Sequence, residues 1–328
     1  MLIEASSVKG RKVTKDMNMK AKADMLAPSA TRGLRFEGYF IKPGENPYDQ
    51  VTWVKRSSAI SGAAGEKVFE MKDVEVPEFW SQLATDIAVS KYFRKAGVPG
   101  TGHETSVRQL VHRVAHSIRW AGEDLGSYFQ TKEDAHNFEM DLAHILLTQK
   151  GAFNSPVWFN CGLYHEYKIH GFSGNFHWDP ASDKILETTN AYQYPQCSAC
   201  FIQSVGDDLM GIFDLAKNEA RIFKYGSGTG TNFSHIRGKQ EKLSGGGYSS
   251  GLISFLEVLD RGAGATKSGG TTRRAAKMVC LDMDHPEILD FINWKVESEK
   301  KDKALMDAGY DGDWRGEAYH MISGQNSN

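Results

Sequence analysis

The stretch from Tyr192 to Arg237 constrains this chain most, because it fixes the order of three elements with almost no slack between them. Gln196 to Val205 carries Cys197 and Cys200 in a short apolar run, the pattern of a buried strand. Asp207 and Asp208 stand where a helix N-cap belongs. Leu209, Ile212, Phe213, Ala216, Ala220 and Phe223 then recur at helical spacing up to Lys224. Gly226, Gly228 and Gly230 follow at once and read as a glycine-rich loop. A thiol on a strand is thus tied by one helix to a loop able to hold an anion. That order points to redox chemistry beside a phosphorylated ligand.

At 328 residues the chain is long enough for two domains or one large α/β domain. A net charge of −2 excludes a strongly polyanion-seeking surface, so no nucleic-acid partner is expected. Local basic clusters fit a few bound phosphates instead. No apolar run approaches the ~20 residues of a membrane span, and the start lacks the apolar core of a signal peptide. Four cysteines make no disulfide framework, which places the chain in a reducing cytoplasm.

Residues up to about Asp73 read as irregular or short-stranded, with Leu34 to Lys42 alternating as a strand does. From Pro77 to Lys150 the pattern turns helical. Phe79, Trp80, Leu83, Ile87 and Phe93 mark one helix, and Val107, Leu110, Val111, Val114 and Ile118 a second. Thr131 opens a third. His112 and His116 share one helix face, but no compact histidine pair meets a carboxylate in a recognised zinc motif, so no metal site is expected.

Ala152 to Gly162 reads as a loop, and the stretch to about Thr188 as irregular. Beyond the organising segment come a Ser/Gly loop, a short helix over Leu252 to Asp260, and a basic glycine-rich loop over Ala263 to Arg274. Lys277 to Met283 reads as a strand, and Asp284 to Glu287 as a helix start with an acidic cap and a proline in the first turn. Strand, helix, strand, helix with glycine at the turns means a parallel α/β sheet.

The Cys197-x-x-Cys200 spacing fits a dithiol redox pair, half a zinc site or two inert buried thiols. The Gly226 to Gly230 loop lacks both the GxGxxG spacing and a GK[ST] ending, so it matches no standard phosphate loop. Basic residues in the loops that follow (Arg237, Lys239, Lys242; Lys267, Arg273, Arg274) favour phosphate ligands.

The segments QCSACFIQSV, EARIFKYGSGTGTNFSHIRG and GATKSGGTTRRAAKMVCLDMDHPEILDFINWK, with FNSPVWFNCG and the terminal SGQNSN, closely resemble class II, adenosylcobalamin-dependent ribonucleotide reductases. The resemblance runs from about Phe36 to the last residue and covers the N-terminal part of such an enzyme. It implies an α/β protein: a helical N-terminal domain, then the first half of a ten-stranded α/β barrel. The divisions that follow are a short-stranded segment over 1–75, the helical domain over 76–150, the half-barrel with effector loops over 151–296, and a polar, interrupted tail over 297–328.

The activity implied is that of a vitamin B12-dependent ribonucleoside-diphosphate reductase. A thiyl radical abstracts the 3′ hydrogen of the ribonucleotide, and two further cysteines deliver reducing electrons. Cys200 matches the first of that pair. Ser155, Ala199, Cys200 and Gly228 match substrate contacts. Asp207 matches the carboxylate that binds the ribose of an allosteric deoxynucleotide; Arg237, with Lys239 and Lys242, would meet its phosphates. Ser268, Gly269, Gly270, Thr271, Thr272, Arg273 and Arg274 match the loop that reads the effector, a dNTP or ATP. Adenosylcobalamin, a thioredoxin-type reductant and a second copy of the chain are implied partners.

The family's radical cysteine and second reducing cysteine lie beyond residue 328, and neither Cys161 nor Cys280 sits in a matching motif. The chain therefore reads as one piece of a divided reductase, as a product of intein or gene splitting, or as a fragment. It is expected to be inactive without the C-terminal half. A catalytically dead nucleotide-binding regulator of a full-length reductase is the alternative from a binding class, and a stand-alone CxxC thiol oxidoreductase is a third reading.

Overall fold

The computed structural model describes residues 33–61, 67–124, 128–172, 174–268, 273–312, 318 and 327. The first unit opens with a long antiparallel hairpin, β1 (Trp53–Ser61) against β2 (Lys67–Pro77), rather than the short strands expected there. Val74 and Val76 of β2 point into the core. Leu34 to Lys42 is no strand, although it alternates like one. Leu34 makes an isolated bridge to Phe129, and the N–H groups of Tyr39, Phe40 and Ile41 all donate to the Asp141 carboxylate at 2.7, 2.9 and 3.0 Å. One acidic side chain takes the donors that a sheet partner would have taken.

The helices of this unit are α1 (Gln82–Ile87), which continues into a π turn over Ala88–Tyr92, then α2 (Val107–Asp124) and α3 (Lys132–Leu147). Thr131 caps α3 by accepting the Asp134 N–H at 3.0 Å. The buried face of α2, with Val107, Leu110, Val111 and Val114, meets Ala143, Leu146 and Leu147 of α3. Trp80 closes this core and donates its indole N–H to Leu147 O at 2.8 Å. Each such fully buried aliphatic side chain stabilises the fold by about 1.5–3 kcal/mol.

Residues 152–162 are not the expected loop. Asn154 accepts the Val157 N–H and Pro156 lies in the first turn, so α4 (Ser155–Asn160) forms, followed by α5 (Leu163–Tyr167). Gly162 links them at φ +79°, and a Cβ there would stand 2.3 Å from Arg113 O. Only glycine lets the chain pass so close to α2. A small hairpin, β3 (Phe176–Asp179) with β4 (Lys184–Glu187), interrupts the stretch expected to be irregular.

The second unit is a three-stranded parallel sheet in the order β5 (Cys200–Ser204), β6 (Gly228–Asn232), β9 (Lys277–Cys280). Between them run α6 (Leu209–Lys224), α7 (Leu252–Ala265) and a two-residue ladder, β7 (Lys267–Ser268) with β8 (Arg273–Arg274). The helix α8 (Ile288–Asp307) follows β9 and runs unbroken through residue 297. The mixed α/β class holds, but no closed barrel is present among the described residues.

Helices α6, α7 and α8 cover one face of the sheet. Ile212, Leu215, Phe233, Leu252, Leu256, Leu259, Val279 and Trp294 form the core there. Asp208 caps α6 by accepting the Gly211 N–H at 2.8 Å. The helix starts after the expected acidic cap, Asp284, and the glutamate three residues on serves a different helix: Glu287 accepts the Leu252 N–H at 2.6 Å, at the start of α7, and the Lys239 N–H at 3.0 Å. The position before α8 has no side-chain cap. No helix of the described residues is long and apolar enough to cross a membrane.

Candidate active site

The largest correction concerns the glycine-rich segment. Gly228 to Asn232 is the central strand of the parallel sheet, not an anion-holding loop. Its Thr229 and Thr231 side chains are buried toward the helices, while Gly228 and Gly230 fall on the opposite face. Strand β5 has the same parity: Phe201 and Gln203 are partly buried, and Cys200, Ile202 and Ser204 are exposed. On β9, Lys277 and Val279 are buried, and Met278 and Cys280 are exposed.

One sheet face is therefore uncovered, and Cys200 stands on it. Cys200 shares this face with Ile202, which is 94% exposed, on the side of the sheet away from the helices. Cys200 pairs in register with Gly228, whose N–H donates to Ala199 O at 2.6 Å. A Cβ at Gly228 would lie 3.0 Å from Ala276 O, just before β9, so a side chain there would be crowded. Ile202 and Met278 flank Gly230 in register, with nothing larger than hydrogen between them on the central strand.

Beneath this face, Lys277 donates to Glu219 of α6 at 2.9 Å, and Thr229 donates to the same carboxylate at 3.2 Å. Burial pushes the Glu219 carboxyl up and the Lys277 amine down, and each is opposed by its partner. The pair ties α6 to the start of β9. Ser155, at the first turn of α4, is engaged by the Tyr92 hydroxyl at 3.1 Å.

Cys197 of the CxxC spacing meets a cysteine that the spacing does not include. The Cys197 sulfur lies 3.3 Å from that of Cys161, which follows α4. The two thiols share a hydrogen bond, which together with burial raises Cys161 far above the ordinary thiol range; the same contact lowers Cys197 against the effect of its burial. Sequence spacing could not reveal this pair, because its members lie 36 residues apart on different elements.

That segment is held by a buried hub. Arg113, 1% exposed, donates to the Glu104 carboxylate at 2.7 Å and to the carbonyls of Cys161, Trp158 and Tyr92 at 2.7, 2.8 and 3.2 Å. Glu104 also accepts the Tyr167 hydroxyl and the Arg94 N–H, at 2.9 and 2.7 Å. No feature of the sequence marked Arg113 as buried.

Of the residues matched to an effector site, the structure brings Asp207 and Arg237 together. The Arg237 guanidinium donates to Asp207 at 2.5 Å and its backbone N–H to the same carboxylate at 3.3 Å. Asp208 is occupied by its capping role, which leaves Asp207 turned toward Arg237. Arg237 also reaches Lys242 O at 3.3 Å. Lys239 and Lys242 are exposed. Ser268, Arg273 and Arg274 lie in the β7–β8 ladder, and Gly269, Gly270, Thr271 and Thr272 lie outside the described residues.

Residues 198–310 match the family described as ribonucleotide reductase, barrel domain, and residues 54–149 that described as class II vitamin B12-dependent ribonucleotide reductase. The vitamin B12-dependent ribonucleotide reductase of Rhodopirellula baltica is 50% identical over 298 residues, covering 90% of this chain and 28% of the relative. That of Agrobacterium fabrum is 48% identical over 309 residues, covering 83% and 24%. That of Streptomyces coelicolor is 45% identical over 301 residues, covering 91% and 28%. The chain spans about a quarter of the length of these curated relatives.

Proposed function

Because this chain belongs to the class II, vitamin B12-dependent ribonucleotide reductase family, we propose that it supplies one reducing cysteine, Cys200, and the surface on which a ribonucleotide is reduced. The observation that carries this reading is the uncovered sheet face: an exposed thiol at the start of β5, beside a central strand with glycine at two of its three positions on that face. A ribose laid along that strand would meet backbone rather than side chains. Reduction replaces the 2′-hydroxyl by hydrogen and releases water. The two electrons come from two thiols that close into a disulfide, Cys200 being one and a cysteine outside this chain the other. Ser155 and the backbone at Ala199 and Gly228 would position the substrate.

The sheet is proposed as part of the first five-stranded half of a ten-stranded barrel. Its edges support this, because β5 and β9 each have one sheet neighbour among the described strands. Ser327 makes an isolated parallel bridge to Lys277, where a further strand beside β9 would begin. Leu289, Ile292 and Val296 form an exposed apolar stripe on α8, and Met278, Met283 and Ile202 are exposed. Apolar area of this kind needs a cover, which the remaining part of a reductase would provide.

A second site, for a dNTP or ATP effector, is proposed at Asp207 and Arg237 with Lys239, Lys242 and the segment 268–274. Effector binding there would exchange the Asp207–Arg237 ion pair for contacts to ribose and phosphate. A second copy of the chain and a thioredoxin-type reductant complete the expected partners.

Vitamin B12 in its adenosyl form would generate the radical, and the described residues do not fit it. A groove of about 480 Å³ on the helical unit is lined by polar and ionisable side chains including Arg108, Arg119, His136 and Glu139, whereas a corrin ring presents a broad, largely apolar face. No step is routed through the cofactor in this chain.

The test combines the chain with a polypeptide carrying the remaining strands and the radical cysteine, plus ribonucleotide, adenosylcobalamin and a dithiol. Cys200→Ser should abolish multiple turnover, and Cys197→Ser should retain most of it. Equal loss in both overturns the assignment of Cys200. Turnover indifferent to Cys200 but responsive to added chain favours the nucleotide-binding regulator.

A further inference from the structure

Histidines 112 and 116 are four residues apart on α2, so their rings lie on one side of the helix, stacked with centroids 5.1 Å apart. The sequence offered them no carboxylate. The structure offers two, one on each side of the ring pair. The Nε2 atom of His112 is 3.4 Å from one oxygen of Glu166 on α5, and Nε2 of His116 is 3.7 Å from the other. The Nδ1 atoms face the opposite way, toward Glu139 on α3: 3.2 and 3.3 Å from His116 to its two oxygens, and 3.6 Å from His112.

We propose that His112, His116 and Glu166 bind one divalent first-row transition-metal ion, with Glu139 as the carboxylate that orients both imidazoles. Three features of the cluster support this. The first is spacing. One donor atom from each of the three residues lies within 4.8 Å of the others. Metal–ligand bonds of about 2.0–2.2 Å put neighbouring tetrahedral donors roughly 3.3–3.6 Å apart. The His112–Glu166 and His116–Glu166 separations sit at or just beyond that range and are longer than the ~2.7–3.2 Å of a good hydrogen bond.

The second feature is the tautomer. Glu139 is buried, and Arg119 anchors it at 2.9 Å. Donation of Nδ1–H from His116 to this carboxylate leaves its lone pair on Nε2, aimed toward Glu166, and the His112 ring is turned the same way with its Nδ1 3.6 Å from Glu139. A carboxylate behind each ligating imidazole is the usual outer arrangement of a metal site. The third feature is access. His112 is half-exposed and Glu166 partly so, which leaves the remaining coordination positions open to water.

Two neutral imidazoles and one carboxylate form a set suited to zinc, cobalt or iron(II), whereas a magnesium or calcium site would be built from oxygens. The ion would fasten α5 to α2, next to the Gly162 junction that already brings the two into contact. The site is independent of the proposed reduction.

The test uses the full chain after chelator treatment, titrated with Zn²⁺ by calorimetry and with Co²⁺ by visible absorption, with unfolding midpoints read alongside. One equivalent should bind, raise the midpoint, and give cobalt bands without sulfur-to-metal charge transfer, which excludes the cysteines. Glu139→Gln should weaken binding by about 10–100-fold, and His116→Ala or Glu166→Gln by at least as much. Glu166→Gln should lose the metal-induced rise, read against its own midpoint in chelator. Failure to bind, affinity unchanged in Glu166→Gln, or a thiolate cobalt spectrum would each overturn the proposal and leave the cluster as an ion-pair network alone.

Discussion

Replacing Arg113 by methionine tests how the helical unit holds the segment that carries Ser155 and Cys161. The substitution keeps much of the side-chain volume and removes the guanidinium, so packing loss is small and the polar loss dominates. Glu104 is 0% exposed and would keep only the Arg94 N–H and the Tyr167 hydroxyl as partners. Breaking a buried ion pair from one side costs about 3–5 kcal/mol. The carbonyls of Cys161, Trp158 and Tyr92 lose their donor as well, each on the order of 1 kcal/mol where water cannot enter. The expected loss is therefore at the upper end of that range, a large part of the ~5–15 kcal/mol that a domain has in total. Urea unfolding followed by circular dichroism and tryptophan fluorescence reads it, because Trp80 and Trp158 both belong to this core. Adding Glu104→Gln removes the stranded charge, so the double variant should be less destabilised than the sum of the singles by about 0.5–3 kcal/mol. A loss below about 1 kcal/mol for Arg113→Met, or strict additivity in the double variant, would refute the view that one buried ion pair holds α4 and α5 on α2.

Mass spectrometry after brief alkylation should find Cys197 modified well before Cys161, and Cys161→Ala should slow Cys197 near neutral pH by removing the S–H that stabilises its thiolate; equal labelling of the two would contradict the pairing. The Thr131 hydroxyl, and then the Phe36 N–H, hold the Asp134 carboxyl below its ordinary range. Its folded value lies under the unfolded value of about 3.9, so its contribution is complete above that pH and is lost as pH falls through the folded value. Asp134→Asn should flatten the acid limb of the stability profile, and an unaltered limb would count against the effect. For the proposed effector site, calorimetry should show Arg237→Ala weakening dNTP binding by roughly 10–150-fold, as expected for a charge-assisted contact. Asp207→Ala should weaken it less, since it also frees Arg237. Unchanged affinity in both removes the site from this place.

Helices were legible where side-chain spacing and caps agreed. Thr131 and Asp208 each cap the helix that follows, and the apolar stripe of α2 faces its core, whereas in α6 Ile212 and Phe223 are buried but Leu209 and Phe213 are exposed. Short elements failed where long-range partners decide. Leu34 to Lys42 has strand alternation, but Asp141, about a hundred residues away, takes its donors. Gly228 to Asn232 has loop composition, yet two strands bracket it and make it a strand. The helix α4 was signalled by Asn154 and Pro156 and obscured by its shortness. In the site, the sequence places Cys200 on a strand, and only the helices packed on the other side of the sheet show which face of β5 is left uncovered. The histidine pair was legible, and the carboxylates on two other helices were not.

The bare central strand has a further consequence for how this chain can be interrogated. Its two glycines are not equivalent. At position 228 an added methyl would crowd the Ala276 carbonyl at 3.0 Å, whereas at 230 it would meet only the Cβ of Met278, at an ordinary 3.8 Å. Alanine at 230 should therefore leave the fold intact and raise a single bump on the floor of the lane between Ile202 and Met278. A flat molecule sliding along that lane would strike the bump, and a protein face docking from above would ride over it. The same sheet thus carries its own control: 228 reports on the strand beneath, and 230 reports on whatever travels across it.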